Sequence, residues 1–423
     1  MTEPNVSVPA ASSASAPVPH ASPYRWVVLG AFMLVMAAQQ LTWITFAPVT
    51  RLAAGFYGQS EFTIGLLSMV FMIVYILVWF PASWAIDTWG LKAGVGIGAV
   101  LTGGFALVRG FLAHDFVWVF VAQVGIAVGQ PFVINAVAKV AARWFPLKER
   151  ATASGLAWLM GYLGLIAGFA LTPMLAPTAD RIPSMLMVYG VVSAVLCATF
   201  LVFAKERPSA PVGAPGEEVR ALVIDGLKSL LKQRDFLLFN AIFFIGLGVF
   251  NGVSTWTDLI LAGRIGDPEQ AGLIPAAMVV MGVVGSAVIP MLSDRLRNRT
   301  KIIFLALAGS VPGLIGLTFL RSFGGLLASA AVLGFFMLSC APVGFQYSAE
   351  VGHPAPEGTS TGILMTMGQI SGILFIFGMD WLKDPATGSM TLPLVGLAVL
   401  LAVGAILALF LRESKLLAGS KGA

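Results

Sequence analysis

The sequence is short of charge. Of its 423 residues, 11% are Asp, Glu, Lys or Arg and 58% are hydrophobic, where soluble domains carry about 25% charged residues. No water-soluble core absorbs that much apolar sequence, so the chain reads as a polytopic membrane protein. Cysteine is nearly absent as well. Cys197 and Cys340 sit in apolar runs at no metal or redox spacing, which argues against a disulfide framework; burial as small side chains accounts for both. The three histidines, His20, His114 and His353, fall in the N-terminal tail or in loops. With no Ser/His/Asp set, metal cluster or phosphate loop in view, an enzyme is not expected, and no cofactor is implied. A net charge of +5 reports loop asymmetry in a membrane protein, not affinity for nucleic acid. Residues 1–22 lack a basic n-region and a continuous apolar core, so they are not a cleavable signal. Their Ser, Ala and Pro content reads as a disordered cytoplasmic tail.

What the chain does have is long apolar runs. They fall near 26–49, 62–84, 93–113, 116–138, 152–175 and 184–204, and again near 236–262, 271–292, 301–320, 323–346, 359–379 and 390–412. Each is long enough to cross about 30 Å of hydrocarbon as a helix. The expected fold is therefore all-α, with twelve transmembrane helices in two six-helix bundles, 23–204 and 235–412. The intervening segment 205–234 begins as a Pro/Gly linker. It continues with Val219, Leu222, Val223, Leu227, Leu230 and Leu231 at helical spacing, an amphipathic helix on the membrane surface. A short tail, 413–423, follows the last run.

Basic residues set the orientation. With the N-terminus inside, the Lys and Arg residues outside the cytoplasmic segments are Arg51, Arg109, Arg181, Arg264, Arg321 and Lys383. That skew places both termini in the cytoplasm, in an inner or plasma membrane. Arg109, in the outer third of its run, is expected to snorkel toward the headgroups.

The halves carry an internal echo. "SWAIDTWGLKAG" follows the second run and "PMLSDRLRNRTK" the eighth, so that Asp87 and Asp294 each close a span ahead of basic residues. Two halves of like topology are expected of transporters built from parallel repeats. The spacing Asp87–Gly90–Lys92 resembles the loop motif of the major facilitator superfamily, Gly-x-x-x-Asp-x-x-Gly-x-Lys, with Ser83 in place of the first Gly. The second copy has Pro290 there and lacks the later Gly. A carboxylate at a helix end can hold a neighbouring helix N-terminus or an Arg such as Arg143. Asp87, Lys92, Arg143 and Asp294 are accordingly expected to gate, not to bind substrate.

"YRW" at 24–26, "GFYG" at 55–58, "LSMVFMIVYILVWFPASWAIDTWGLK" at 67–92, "ARWF" at 142–145 and "PEGTSTG" at 356–362 resemble the feline leukaemia virus subgroup C receptor family. These are major-facilitator transporters assigned to haem export and to choline and ethanolamine transport. The resemblance covers nearly all twelve spans and implies the major facilitator fold. It implies a choline pocket of a helix-1 Trp, a helix-4 Gln, a helix-7 Tyr and a helix-11 Gln. These fall on Trp43, Gln130, Asn251 and Gln369. Asn251 departs from the pattern, and Asp258 stands where a neutral amide is expected.

The residues themselves support such a pocket. All four lie near mid-span, on helices drawn two from each half, as a site at a repeat interface requires. A Trp face attracts a quaternary ammonium, and amides both donate and accept. Gln39 and Gln40 precede Trp43 by one turn and read as part of one cavity-lining stripe, although either could instead bond a neighbouring helix. Interhelical bonding is also an ordinary role for Gln130 and Gln369, as packing is for Trp43 and Asn251.

The expected function is alternating-access transport of a small organic cation or zwitterion, by a monomer in the bilayer, through facilitated diffusion. Proton coupling through Asp258 is one alternative. A drug/proton antiporter is another: Gly155, Gly164 and Gly168 match the start of its Gly-rich helix-5 motif, but Phe169 replaces the Pro and the closing Gly pair is missing. Haem, large and anionic, would want cationic or His partners that the mid-span positions do not supply. A non-transporting receptor on the same fold would be expected to append a soluble domain.

Overall fold

The structure is a computed structural model that describes residues 22–208, 229–352 and 357–413. The N-terminal tail, most of the surface helix expected in 205–234 and the end of the chain lie outside the described residues. Among the described residues, twelve helices are long and apolar enough to span a membrane. They are α1 (Arg25–Tyr57), α2 (Glu61–Thr88), α3 (Leu91–Phe111), α4 (Phe116–Trp144), α5 (Leu147–Leu175) and α6 (Ala179–Phe203) in the first half. The second half holds α7 (Arg234–Thr255), α8 (Pro268–Leu296), α9 (Arg299–Phe319), α10 (Phe323–Gly352), α11 (Glu357–Trp381) and α12 (Thr391–Ala408). Local sequence sets several starts. The side chains of Ser60, Asp115 and Asn298 accept from Thr63, Val117 and Lys301 backbone N–H groups at the heads of α2, α4 and α9, satisfying donors that a helix start leaves open.

The helices differ from the predicted runs in α1, α4 and α7. α1 does not stop at 49. It is regular over Arg25–Ile44, turns through a tight 3₁₀ segment at Ala47–Val49, and resumes over Thr50–Tyr57. Pro48 supplies no N–H to carry the ladder across. α7 is interrupted at the equivalent place: Trp256 ends it, and a short helix, Thr257–Leu261, follows. α4 is likewise broken at Asn135–Ala136, beyond Pro131, and runs on to Trp144. The Asn135 amide there accepts from Tyr75 Oη and donates to the Trp79 carbonyl and Ser83 Oγ, tying α4 to α2.

Packing repeats between halves. α1 lies on α5 and α6, α2 on α4, and α3 on α4 and α6; α7 lies on α11 and α12, α8 on α10, and α9 on α10 and α12. The halves meet through α2 on α11 and α5 on α8. Adding six to each helix number exchanges these two contacts, which is the signature of a pseudo-two-fold axis. Both chain ends described here lie at one end of the bundle, the terminal end; the other is the far end.

α5 approaches α1 closely because its glycines have no side chain to keep the helices apart. A Cβ at Gly164 would collide with the Ala37 backbone carbonyl, and one at Gly168 with the Ile44 side chain. Of the glycines read against an antiporter motif, Gly164 and Gly168 are thus used in helix packing, while Gly155 faces open space. Replacing Gly164 by Val should cost about 1–3 kcal/mol through overpacking, read as a lower midpoint of thermal unfolding in detergent. An unchanged midpoint would show that α5 and α1 do not pack this tightly.

Candidate substrate site and gates

Trp43 is 8% exposed, and its Nε1 donates to the Ser68 carbonyl of α2 at 3.2 Å. Its one donor is spent inside its own half, so what the side chain has left to offer is its ring. One turn along α2, Met72 reaches the seam between the halves. A Cβ on Gly372 of α11 would stand 2.5 Å from Met72 Sδ and 2.7 Å from Asn251 Nδ2. Met72, Asn251 and Gly372 therefore converge beside Trp43's anchor point, on α2, α7 and α11. Gln369 is half-buried, just under one turn from Gly372 toward the terminal end.

Gln130 is 6% exposed and its Oε1 is buried with no hydrogen-bond partner among the described residues. The Gln40 Oε1 is in the same condition; its side chain lies along Gly161 of α5. Gln39 differs. Its Nε2 donates to the Ile126 carbonyl of α4 at 3.3 Å, and its Oε1 accepts from Thr102 Oγ1 of α3 at 2.5 Å. The expected stripe thus divides: Gln39 bonds neighbouring helices within the first half, while Gln40 keeps an open acceptor. The Gln39–Ile126 contact also fixes the antiparallel register of α1 and α4. Gln130, one turn past Ile126, sits about 6 Å nearer the terminal end than Gln39, and Trp43 about 6 Å nearer the far end. Trp43 is thus anchored beside Met72 and Asn251, while Gln369 and Gln130 both lie nearer the terminal end.

Arg109 does not snorkel. It is fully buried and points into the first half, where Gln123 Oε1, the Thr42 carbonyl and Thr45 Oγ1 accept from its guanidinium at 2.5, 3.2 and 3.3 Å. The apolar environment is answered by protein acceptors instead of by headgroups.

The far end is locked between halves. The Asp258 carboxylate accepts from the Arg51 backbone N at 2.7 Å, from Nε at 3.1 Å and from Nη2 at 2.9 Å. Lys383, at the end of α11, pairs with Glu61 at the head of α2 at 2.9 Å and with Asp380 at 3.2 Å. Partial burial by itself lowers the Lys383 pKa, but the bond to Glu61 and the charges of Asp380 and Glu61 outweigh it and raise the pKa overall. The ammonium therefore contributes fully below the ordinary Lys range and is lost only as pH rises through the raised value. Phe62 and Phe377 meet edge to face at 5.7 Å, and the Trp256 ring fills the space over Gly65. Asp258, the candidate for proton coupling, is thus one half of an interhalf ion pair.

At the terminal end, ion pairs run within each half. Asp87 pairs with Lys139, not with Arg143 as expected. Arg143 pairs instead with Glu206, whose carboxylate also accepts from the Leu91 and Lys92 backbone N–H groups at 2.9 and 2.6 Å. Lys92 thus enters through its backbone, at a helix start whose cap, Gly90, has φ 98°. Arg299 pairs with Glu350 at 3.4 Å in the second half. The side chain of Asp294 lies outside the described residues. Glu206 escaped the sequence reading because it follows α6 in a stretch that reads as linker. Its signal was the internal repeat: Glu413 stands at the same place after α12, and accepts from the Thr300 backbone N–H at the head of α9 at 3.2 Å.

Residues 27–376 match the family model described as Major Facilitator Superfamily. Among curated proteins, the chain is 31% identical to the choline/ethanolamine transporter FLVCR1 of Felis catus, over 97% of this chain and 77% of that one. It is 29% identical to solute carrier family 49 member A3 of Xenopus tropicalis, over 85% and 78%. It is 27% identical to the choline/ethanolamine transporter FLVCR2 of Homo sapiens, over 92% and 77%. Among solved structures, a bacterial homolog of the human lysosomal transporter Spinster superposes with a TM-score of 0.74 at 15% identity, covering 92% of this chain and 97% of that chain. That likeness concerns the fold.

The far-end contacts make a testable lock. Cysteines replacing Phe62 and Phe377 should cross-link readily, and Asp258→Asn should slow the reaction about fivefold, for a pair worth about 1 kcal/mol. The exchanged pair Arg51→Asp/Asp258→Arg should recover part of that loss. Equal cross-linking in all three backgrounds would remove the ion pair from the lock.

Proposed function

Because this chain belongs to the Major Facilitator Superfamily, in the family of the choline/ethanolamine transporters FLVCR1 and FLVCR2, we propose that it carries a small organic cation or zwitterion of the choline and ethanolamine class across the membrane by alternating access. The protein is an integral membrane transporter and not an enzyme. The observation that carries the substrate reading is the kind of polar group left over on α1 and α4 of the first half. The Trp43 ring has spent its N–H, and the Gln40 and Gln130 carbonyl oxygens are buried without partners among the described residues. An aromatic face and open acceptors suit a cation that also donates from a hydroxyl or ammonium group.

The cation rests against the face of Trp43, an interaction worth about 2 kcal/mol when desolvated. Asn251 closes the opposite wall from the second half, with Gln369 of α11 nearer the terminal end. Gln40 and Gln130 line the way toward the terminal end, where a donor leaving the ring finds acceptors in turn. Neutral partners hold the substrate without the tight grip of a carboxylate, which favours release. Asp258 is held by Arg51, so its role is gating and not proton relay. Transport is then uniport, driven by the substrate gradient and by the potential, at about 2.3 kcal/mol per charge per 100 mV.

The excess of Lys and Arg at the terminal end puts that end in the cytoplasm, so the conformation described is shut toward the outside. The halves 23–204 and 235–412 rock against each other as a monomer. The Arg51–Asp258 and Glu61–Lys383 pairs hold the outer gate. Asp87, Lys92, Arg143 and Asp294, with Glu206, shape the inner one. Haem fits poorly: the seam residues are neutral, and the buried cation of the first half, Arg109, is turned to Gln123 and α1.

Proteoliposomes reconstituted with the protein should take up labelled choline or ethanolamine. Trp43→Ala should raise the KM at least tenfold, and Trp43→Phe should raise it less. An imposed pH gradient should leave the rate unchanged. Uptake of neither amine would end the substrate reading, and a rate that follows the pH gradient would end the uniport mechanism.

A further inference from the structure

We propose that Arg109 and Gln123 form a positioning pair that fixes the Trp43 ring for substrate by clamping the α1 backbone at its break. This rests on the reading of Trp43 as a substrate residue.

The geometry begins with α1. The regular helix ends at Ile44, and the chain re-forms at Ala47. A helix end carries partial negative charge and loosely held carbonyls. Arg109 brings a full positive charge there. Its Nη1 donates to the Thr42 carbonyl and its Nη2 to Thr45 Oγ1, so the guanidinium straddles Trp43 in the chain. Its Cζ lies 5.7 Å from the Phe46 ring centroid.

Gln123 completes the clamp. Its Oε1 accepts from Arg109, while its Nε2 donates to the Thr42 carbonyl at 3.3 Å and to the Leu67 carbonyl at 3.0 Å. Leu67 is the neighbour of Ser68, whose carbonyl receives the Trp43 Nε1. The pair therefore holds both ends of the indole's support, the backbone beside Trp43 on α1 and the backbone beside its acceptor on α2. Both side chains are 0% exposed.

Fold stability alone does not call for this device. The second half repeats the same helix packing, and at the positions equivalent to Arg109 and Gln123, by the 207-residue offset that separates Arg51 from Asp258, it has Gly316 and Ala330. A buried cation without a carboxylate partner is costly. Among the described residues, a fully buried cation of this kind stands only in the half that carries Trp43, whose equivalent in the other half is Phe250.

Gln123→Glu is the informative variant. It keeps shape and gives Arg109 a counter-charge, so the buried cation remains paired, but it deletes both N–H donors to Thr42 and Leu67. Labelled-choline uptake in proteoliposomes should show a KM raised about fivefold, with kcat within about twofold. In a Trp43→Ala background the same change should leave KM where Trp43→Ala alone puts it. Amide hydrogen exchange of the segment spanning Thr42–Phe46 should quicken in Gln123→Glu with no substrate present. Arg109→Lys serves as a second variant, retaining charge while losing the forked contact. Equal KM effects with and without Trp43, or unchanged exchange at the break, would overturn the proposal. A Trp43→Ala protein with wild-type KM would instead overturn the substrate reading, and the exchange measurement would still decide the clamp.

Discussion

A polar group surrounded by hydrocarbon must find its partner within the protein. In this chain that constraint sorts the interior into two kinds of polar residue. Asn135, Gln39, Gln123 and Arg109 have their bonding capacity largely used by neighbouring helices. They fix register and hold breaks open. Gln40 and Gln130 keep a carbonyl oxygen buried without a partner among the described residues, and Trp43 keeps only its ring. The second kind marks places where the protein is incomplete by itself: Trp43 is anchored beside the seam where α2, α7 and α11 meet, Gln130 lies nearer the terminal end, and Gln40 lies along α5. Satisfied amides build the scaffold, and unsatisfied ones make room for something that moves.

The architecture was legible because hydrocarbon thickness and apolar run length are tied to one another. All twelve spans could be read from composition, and so could the repeat, from Asp87 and Asp294. The ends of spans were less legible. A proline in a run signals a break, but only neighbouring helices decide whether the chain stops or resumes, as α1 does at Thr50 and α4 at Val137. Side-chain direction was least legible. Gln39 and Gln40 differ by one position, and no apolar period told which faced α3 and α4 and which faced α5. Arg109 looked like a snorkelling residue because one sequence position cannot reveal an acceptor such as Gln123, fourteen residues on and across a loop. Glu206 was invisible for the same reason: its partners, Arg143 and the head of α3, are distant in sequence.

The repeat also separates machinery from specificity. Arg51 and Asp258 are 207 positions apart, so the far-end lock joins equivalent residues of opposite charge across the pseudo-two-fold axis. Glu206 and Glu413 are related in the same way, each receiving the head of the third helix of its half. Arg143 and Glu350 are another such pair, again of opposite sign, yet each is neutralised inside its own half, by Glu206 and by Arg299. Caps and gates therefore obey the repeat. The proposed site breaks it: the equivalents of Trp43, Gln130, Asn251 and Gln369 are Phe250, Met337, Ile44 and Tyr162. A site on a symmetry axis that kept the symmetry would present the same group twice, which a ligand with a cationic end and a hydroxyl end cannot use. The chain keeps the repeat in its caps and interhalf ion pairs and gives it up at the residues proposed to hold one asymmetric molecule.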